Sequence, residues 1–121
     1  MRRALVLASL AVLAAAAFVA QVALAADVKF IETTWTTDGP DCAVKSIKFF
    51  DFNRAVVYAD RIGSDSATWS YDEPELHIYF DNWNANLDGQ ILAGKEFQAT
   101  YAWRDEQTLK QHLVQCTYRP Q

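Results

Sequence analysis

Residues 75–81 read ELHIYFD, and this stretch decides the fold. Apolar side chains occupy every second position, and more polar ones lie between them. The first set is Leu76, Ile78 and Phe80, and the second set is His77, Tyr79 and Asp81. Because successive side chains of a β-strand point to opposite faces, this period of two predicts a strand with one buried and one solvent-facing side.

The same alternation continues on both sides of this strand. The other inward-facing sets are Ile31, Thr33 and Trp35; Ala67, Trp69 and Tyr71; Leu87, Gly89 and Ile91; and Phe97, Ala99, Tyr101 and Trp103. Residues 44–52 and 55–59 predict a hairpin. Residues that favour turns separate the strands, since Gly permits positive φ and the side chains of Asn and Asp bond to the local backbone. These turns are predicted at 38–41, 63–66, 72–74, 82–84, 93–95 and 105–107.

Residues 105–116 fit two structures. A helix capped by Asp105 would align Leu109, Leu113 and Cys116, whereas a strand would align Val114, Cys116 and Tyr118. We favour the strand because it returns Cys116 to Cys42, which lies beside the first strand. Seven or eight strands then predict an all-β domain, an antiparallel up-and-down meander that forms a small barrel or a flattened sandwich.

Residues 1–25 have the pattern of a secretory signal peptide. Two arginines precede an apolar run that continues to Ala20, and Ala23 and Ala25 fit the small-residue positions of a cleavage site. Cleavage there would release residues 26–121 as a single domain into the periplasm or outside the cell, with no stable membrane insertion. An uncleaved membrane anchor is the alternative interpretation of the same apolar run.

The net charge limits the classes of partner, and the two cysteines predict a disulfide. Removal of residues 1–25 takes away two of the 11 lysines and arginines and none of the 15 acidic residues, so the formal net charge changes from −4 to −6. An acidic surface argues against nucleic-acid and membrane-surface functions and favours a basic protein partner. In an oxidising compartment the two cysteines have one intramolecular pairing, so we expect a Cys42–Cys116 disulfide.

No segment carries a complete catalytic or metal-binding motif. Asn84–Gly89 copies the start of an EF-hand calcium loop, but the twelfth position falls on Lys95, where a glutamate is needed. His77 and His112 are too isolated to build a zinc site. The carboxylates of residues 72–75 flank a proline in a predicted surface turn, which is not the cleft that acid–base catalysis needs. We therefore expect no enzymatic activity, no cofactor and no bound metal.

Four tryptophans indicate a binding function. Trp35, Trp69 and Trp103 share faces with apolar residues, so they are predicted to fill the core or to line a ligand cavity inside the barrel. Trp83 lies between two asparagines, and we expect it to be exposed at a loop tip as a contact residue rather than folded back over the barrel mouth. The predicted function is a binding domain for a small apolar ligand. The alternative is an acidic protein-binding module, or an inhibitor of a basic secreted or cell-wall enzyme.

An early tryptophan in the first strand, eight short meander strands and a late disulfide resemble the calycin group, which includes lipocalin-like and avidin-like barrels. The resemblance covers the whole mature domain and implies a barrel that holds a ligand. Two features depart from the lipocalin pattern. Thr33 stands where lipocalins usually carry glycine two positions before the tryptophan, and the shorter chain leaves less room for a cavity. No binding residue is carried over from the family.

Overall fold

Eight antiparallel strands in sequential order close into a barrel in the computed structural model, which describes residues 29–121. The strands are β1 (Thr34–Thr36), β2 (Val44–Phe50), β3 (Arg54–Ala59), β4 (Gly63–Asp72), β5 (Glu75–Phe80), β6 (Ala85–Leu92), β7 (Glu96–Arg104) and β8 (Gln111–Pro120). The all-β meander is confirmed, and it forms the barrel rather than the flattened sandwich. The expected signal peptide, residues 1–25, lies outside the described residues.

The barrel closes along a short seam between β1 and β8. The two register pairs of this seam are Trp35 with Pro120 and Thr36 with Arg119. The predicted disulfide lies beside it, with the Cα atoms of Cys42 and Cys116 5.9 Å apart. In addition, the Tyr118 hydroxyl donates a hydrogen bond of 2.7 Å to the Val44 carbonyl. The disulfide and this hydrogen bond therefore join β8 to the start of β2 across the three-residue β1.

The last element is the strand β8, as the alignment of Val114, Cys116 and Tyr118 predicted. Asp105 does accept hydrogen bonds from the Gln107 and Thr108 backbone N–H groups, as a helix cap would, but only a tight turn follows. Leu109 has a φ of 58°, in the left-handed region, and such a residue cannot continue a right-handed helix. No helix among residues 29–121 is long and apolar enough to cross a membrane.

Large apolar side chains fill the barrel interior. The largest fully buried residues are Trp35, Val44, Ile47, Phe49, Val57, Leu76, Ile78, Leu87, Phe97 and Tyr118. The inward sets predicted for β5 and for the first part of β7 are thus confirmed. Gly89 faces β7 at very short range, since a Cβ atom on it would lie 1.9 Å from the Gln98 carbonyl oxygen. The absence of a side chain at Gly89 therefore lets β6 and β7 pair closely.

One end of the barrel, at the β2–β3, β4–β5 and β6–β7 turns, is covered by the chain that leads into β1. We call it the closed end. The Phe30 ring packs against four aromatic rings at centroid separations of 4.9–5.8 Å. These rings belong to Trp35, Phe49, Trp69 and Tyr71. An aromatic cluster with Phe30 at its centre therefore closes this end.

The prediction that Ile31 faces inward is wrong. Ile31 and Glu32 form a turn before β1, and Ile31 is exposed whereas Phe30 is buried. The Glu32 N–H then donates to the Phe49 carbonyl at 2.9 Å, and Thr33 accepts from the Phe49 N–H at 3.0 Å. The alternation therefore breaks at this turn, and regular pairing starts only at β1.

Candidate functional site

The opposite end of the barrel holds a cleft that opens to solvent and has a volume of about 380 Å³. The connections β3–β4, β5–β6 and β7–β8 and the long β1–β2 loop surround this open end. We call this cavity the mouth cleft. Its apolar lining includes Ile62, Trp83, Ala85, Tyr101 and Trp103, and its charged lining consists of Arg104 and Glu106. The volume lies in the range of roughly 300–1,000 Å³ that is typical of small-molecule sites.

Trp103 forms one wall of the mouth cleft. It continues the inward-facing side of β7, but it lies next to the end of the strand, where the barrel opens. The residue is consequently 37% exposed and lines the cleft, so of the two predicted positions, core and cavity wall, it does not take the core. The indole stacks on His112 of β8, with centroids 4.2 Å apart and planes 13° from parallel. This stacking holds one indole face against β8 and fixes the orientation of Trp103.

Trp83 also lines the mouth cleft, although the sequence placed it at an exposed tip. The turn over residues 81–84 is present, but the indole is half-buried and packs edge-on against Phe80 at 6.0 Å. The expectation of an exposed tip is therefore wrong, and the alternative, in which Trp83 folds back over the mouth, describes the structure. Its role as a contact residue stays a prediction.

A buried carboxylate, Asp65, holds the Trp83 turn in place. The Asn82 and Trp83 backbone N–H groups donate to Asp65 Oδ2 at 3.0 and 2.9 Å, and the Asn82 side-chain amide donates to Oδ1 at 2.8 Å. Burial alone would raise the pKa of Asp65, but these hydrogen bonds outweigh it and lower the pKa below its ordinary value of 3.8. The charged carboxylate thus anchors the turn that carries Trp83.

The other two predicted contact residues lie away from the mouth cleft. Trp35 is 1% exposed, and its indole N–H donates to the Thr33 hydroxyl at 3.2 Å. The Trp69 indole N–H donates to the Arg54 carbonyl at 2.9 Å, and its ring packs against Phe30. Both indoles belong to the aromatic cluster at the closed end. The structure therefore brings together Trp83 and Trp103 and separates them from Trp35 and Trp69.

Tyr101 forms part of the apolar lining of the mouth cleft. The residue is 9% exposed, and its ring packs against Phe80 at a centroid separation of 6.2 Å. Burial raises the pKa of its phenol above the ordinary value of 10.0, so the hydroxyl stays protonated at neutral pH. Tyr101 therefore presents a neutral polar group inside an otherwise apolar site.

Of the two histidines singled out in the sequence, His112 stacks on Trp103 at the barrel mouth and His77 lies on the outer surface. His77 shares the outer face of β5 with Tyr79, as predicted, and its Nδ1 lies 2.6 Å from an Asp88 oxygen. Within the calcium-like segment, residues 85–89 belong to β6, so the carboxylate of Asp88 faces His77 rather than a loop interior. Among residues 29–121, no three His, Cys, Asp or Glu side chains gather closely enough to hold a metal ion.

Sequence reasoning missed two features of this site. Asp65 was assigned to a turn over 63–66, but the turn covers residues 60–62, and β4 begins at Gly63. Asp65 lies two residues before Ala67, so extending the alternation of Ala67 and Trp69 to Asp65 would have placed it on the inward face. Ile62 lies in that turn and lines the mouth cleft, and no periodic pattern marks such a residue.

Comparison of the chain with protein families, with curated proteins and with solved structures finds no match. The resemblance to the calycin barrels therefore stays a prediction, carried by the meander of strands, the early tryptophan and the disulfide.

Proposed function

We propose that this chain is an exported, non-enzymatic binding protein that takes a small apolar ligand into the mouth cleft. One observation carries the proposal: the Trp83 and Trp103 indoles and the Ile62 side chain line the same cleft of about 380 Å³. Indole rings contribute large contact areas with few rotatable bonds, and apolar lining with few polar groups is typical of ligand sites.

The two indoles are held in place before any ligand enters. Asp65 fixes the turn that carries Trp83, and His112 stacks on Trp103. A side chain that is already ordered loses little conformational entropy on binding, whereas each mobile side chain that becomes fixed costs about 0.5–1.5 kcal/mol. Preorganisation of this kind supports ligand binding rather than a purely structural role for the two indoles.

Two further features support a non-catalytic role outside the cytoplasm. Among residues 29–121, the ionisable groups that line the mouth cleft are Tyr101, Arg104 and Glu106, and they include no histidine and no paired carboxylates. The Cys42–Cys116 disulfide suits an oxidising compartment. Export with cleavage is tested by N-terminal sequencing of the protein and by its location. A chain that begins at Ala26 outside the cytoplasm supports it, a chain there that retains residues 1–25 favours the membrane anchor, and a chain found only in the cytoplasm contradicts export.

Binding is tested with N-phenyl-1-naphthylamine, a neutral apolar probe whose fluorescence increases in a dry site. We expect saturable binding to the wild type and binding weakened by about tenfold or more in Ile62→Ser and Trp103→Ala. Leu113→Ser is the matched control, because Leu113 lies on β8 outside the cleft. Leu113 is 63% exposed and Ile62 is 68% exposed, so the two substitutions are made at similarly exposed positions. The affinity of Leu113→Ser for the probe should equal that of the wild type.

Absence of probe binding would contradict the proposal. If the protein instead formed a salt-sensitive complex with a basic protein, the alternative function as an acidic protein-binding module would be favoured, because long-range charge attraction is screened by salt. If Leu113→Ser weakened probe binding as much as Ile62→Ser, the probe would be binding to the surface in general rather than to the mouth cleft.

A further inference from the structure

The Tyr101 hydroxyl has no hydrogen-bond partner among residues 29–121. Burial raises the pKa of its phenol, so the hydroxyl keeps its proton and can act as a donor. Tyr118, the other buried tyrosine on the inward face, differs, because its hydroxyl donates to the Val44 carbonyl at 2.7 Å. Most of Tyr101 is buried, with the residue 9% exposed, and its hydroxyl is left without a protein partner among the described residues.

Tyr101 belongs to the lining of the mouth cleft, and its hydroxyl is not sealed from solvent. No fully buried side-chain nitrogen or oxygen among residues 29–121 lacks a hydrogen bond, so the Tyr101 hydroxyl must lie within reach of solvent. The mouth cleft opens to solvent, so it gives a molecule from outside access to Tyr101. Apolar side chains, Ile62, Trp83 and Trp103 among them, share the same lining.

We propose that the ligand of the mouth cleft is a small planar ring compound whose leading end carries a neutral hydrogen-bond acceptor, such as a carbonyl oxygen, that accepts from the Tyr101 hydroxyl. This inference rests on the proposed function of the cleft. The indoles of Trp83 and Trp103 provide flat surfaces for the rings. Arg104 and Glu106 contribute one charge of each sign to the lining, so the cleft does not select a charged ligand.

Two matched probes test this inference: 2-acetylnaphthalene, which carries a carbonyl, and 2-isopropenylnaphthalene, in which a methylene group replaces the carbonyl oxygen. Dissociation constants come from titrations followed by the tryptophan indole N–H resonances. We expect the ketone to bind about two- to tenfold more tightly to the wild type, which is the range of one neutral hydrogen bond. In Tyr101→Phe the two probes should bind equally, because only the hydroxyl is lost.

Tyr79→Phe is the control, since it makes the same chemical change on the outer face of β5, and it should keep the preference for the ketone. Indole N–H shifts in the absence of probe report whether Tyr101→Phe is folded. Equal binding of both probes by the wild type, or an unchanged preference in Tyr101→Phe, would overturn the role of Tyr101 and leave the binding function intact. Failure of both probes and of N-phenyl-1-naphthylamine to bind would overturn both proposals.

Discussion

At the scale of single residues, the site depends on a charged group in a position that usually holds an apolar one. Asp65 faces the barrel interior at 5% exposure, where an unpaired carboxylate would be strongly unfavourable. Three hydrogen bonds from residues 82–83 satisfy it, so the buried charge is compensated. Asp65 thereby links the interior of β4 to the orientation of Trp83 in the mouth cleft.

Asp65→Asn tests this link with almost no change in shape. One carboxylate oxygen becomes an NH₂ donor that faces N–H donors, so we expect a loss of about 1–3 kcal/mol in the free energy of unfolding. The Trp83 indole N–H resonance should also broaden or shift. Asp60→Asn is the control, because Asp60 lies exposed in the turn before β4 and should change stability by about 0.5 kcal/mol or less. Equal effects of the two substitutions would contradict the anchoring role of Asp65.

The effect of Asp65→Asn on stability should depend on pH, because the pKa of Asp65 is lowered in the folded state. Because the folded-state pKa is below 3.8, the stabilisation by this carboxylate is fully present above the unfolded-state pKa. It is lost as the pH falls through the folded-state value. The difference in unfolding free energy between wild type and Asp65→Asn should therefore shrink only below about pH 4, and a difference that already disappears at pH 6 would argue against the charged form.

Single residues also mark the limit of sequence reasoning about this site. Alternation identified Trp103 as inward-facing, but it carries no information on where along a strand the barrel opens, so it could not decide between the core and a cavity wall. Trp83 was placed at an exposed tip because two polar asparagines flank it. The hydrogen bonds that hold its turn in place are accepted by Asp65, 18 residues earlier in the chain. Contacts over such separations leave no periodic signal.

At the scale of elements, β5 and β6 are joined on their outer face by a cross-strand ion pair. His77 lies directly opposite Asp88, 2.6 Å from its carboxylate, and Glu75 approaches the other ring nitrogen at 3.6 Å. The hydrogen bond to Asp88 is the main cause that raises the pKa of His77 above its ordinary value of 6.5, against the lowering effect of burial. The charges of Asp88 and Glu75 add to the increase.

The stability of this strand pair should depend on pH with a defined sign. A raised folded-state pKa means that protonated His77 stabilises the fold fully below about pH 6.5, and that this contribution is lost as the pH rises through the folded-state value. His77→Gln should therefore lower the free energy of unfolding by up to about 1 kcal/mol at pH 5.5, and by less at high pH. Titration of the His77 ring protons provides the second readout: Asp88→Asn should lower the measured pKa, and an unchanged value would contradict the pairing.

Gly89 controls the approach of β6 to β7. A Cβ atom at this position would lie 1.9 Å from the Gln98 carbonyl oxygen and 2.7 Å from the Ala99 Cα, and both are backbone atoms that cannot rotate away. We expect Gly89→Ala to lower the free energy of unfolding by about 1–3 kcal/mol or more, because the two strands must separate. Gln90→Ala, an exposed position on the same strand, is the control for denaturant midpoints. If Gly89→Ala left the free energy of unfolding unchanged, the two strands would be able to shift apart without loss of stability.

Most elements could be predicted from alternation because each strand has one face toward the core. β5 was bounded to within one residue at each end, and β8 was recognised from the alignment of Val114, Cys116 and Tyr118. The first strand was predicted less well. Residues 30–33 cross the closed end instead of pairing regularly, and Phe30 rather than Ile31 enters the core. A segment that covers a barrel end follows the shape of that end, so its apolar residues need not alternate.

At the scale of the whole molecule, alternation alone could not distinguish a barrel from a flattened sandwich, because both structures bury one face of every strand. The difference lies in the β1–β8 seam, which contains only two register pairs. The disulfide supplies the missing connection, since it attaches β8 to the start of β2 across the seam. A covalent bond thus reinforces the closure of this barrel beside its shortest strand, β1.

The last prediction concerns this seam. The disulfide spans a sequence separation of 74, for which the chain-entropy model gives about 4.5 kcal/mol, and we expect the double variant Cys42→Ala/Cys116→Ala to lose about 2–5 kcal/mol of unfolding free energy. If the bond only restricted the unfolded chain, hydrogen-exchange protection would fall equally throughout the barrel. Because the seam has so few hydrogen bonds of its own, we expect additional local opening, with faster exchange at residues 35–36 and 119–121 than in β5 and β6. Chemically reduced wild type is the control and should show the same pattern. Uniform loss of protection in both samples would mean that the seam closes without the disulfide and that the bond acts through the unfolded state alone.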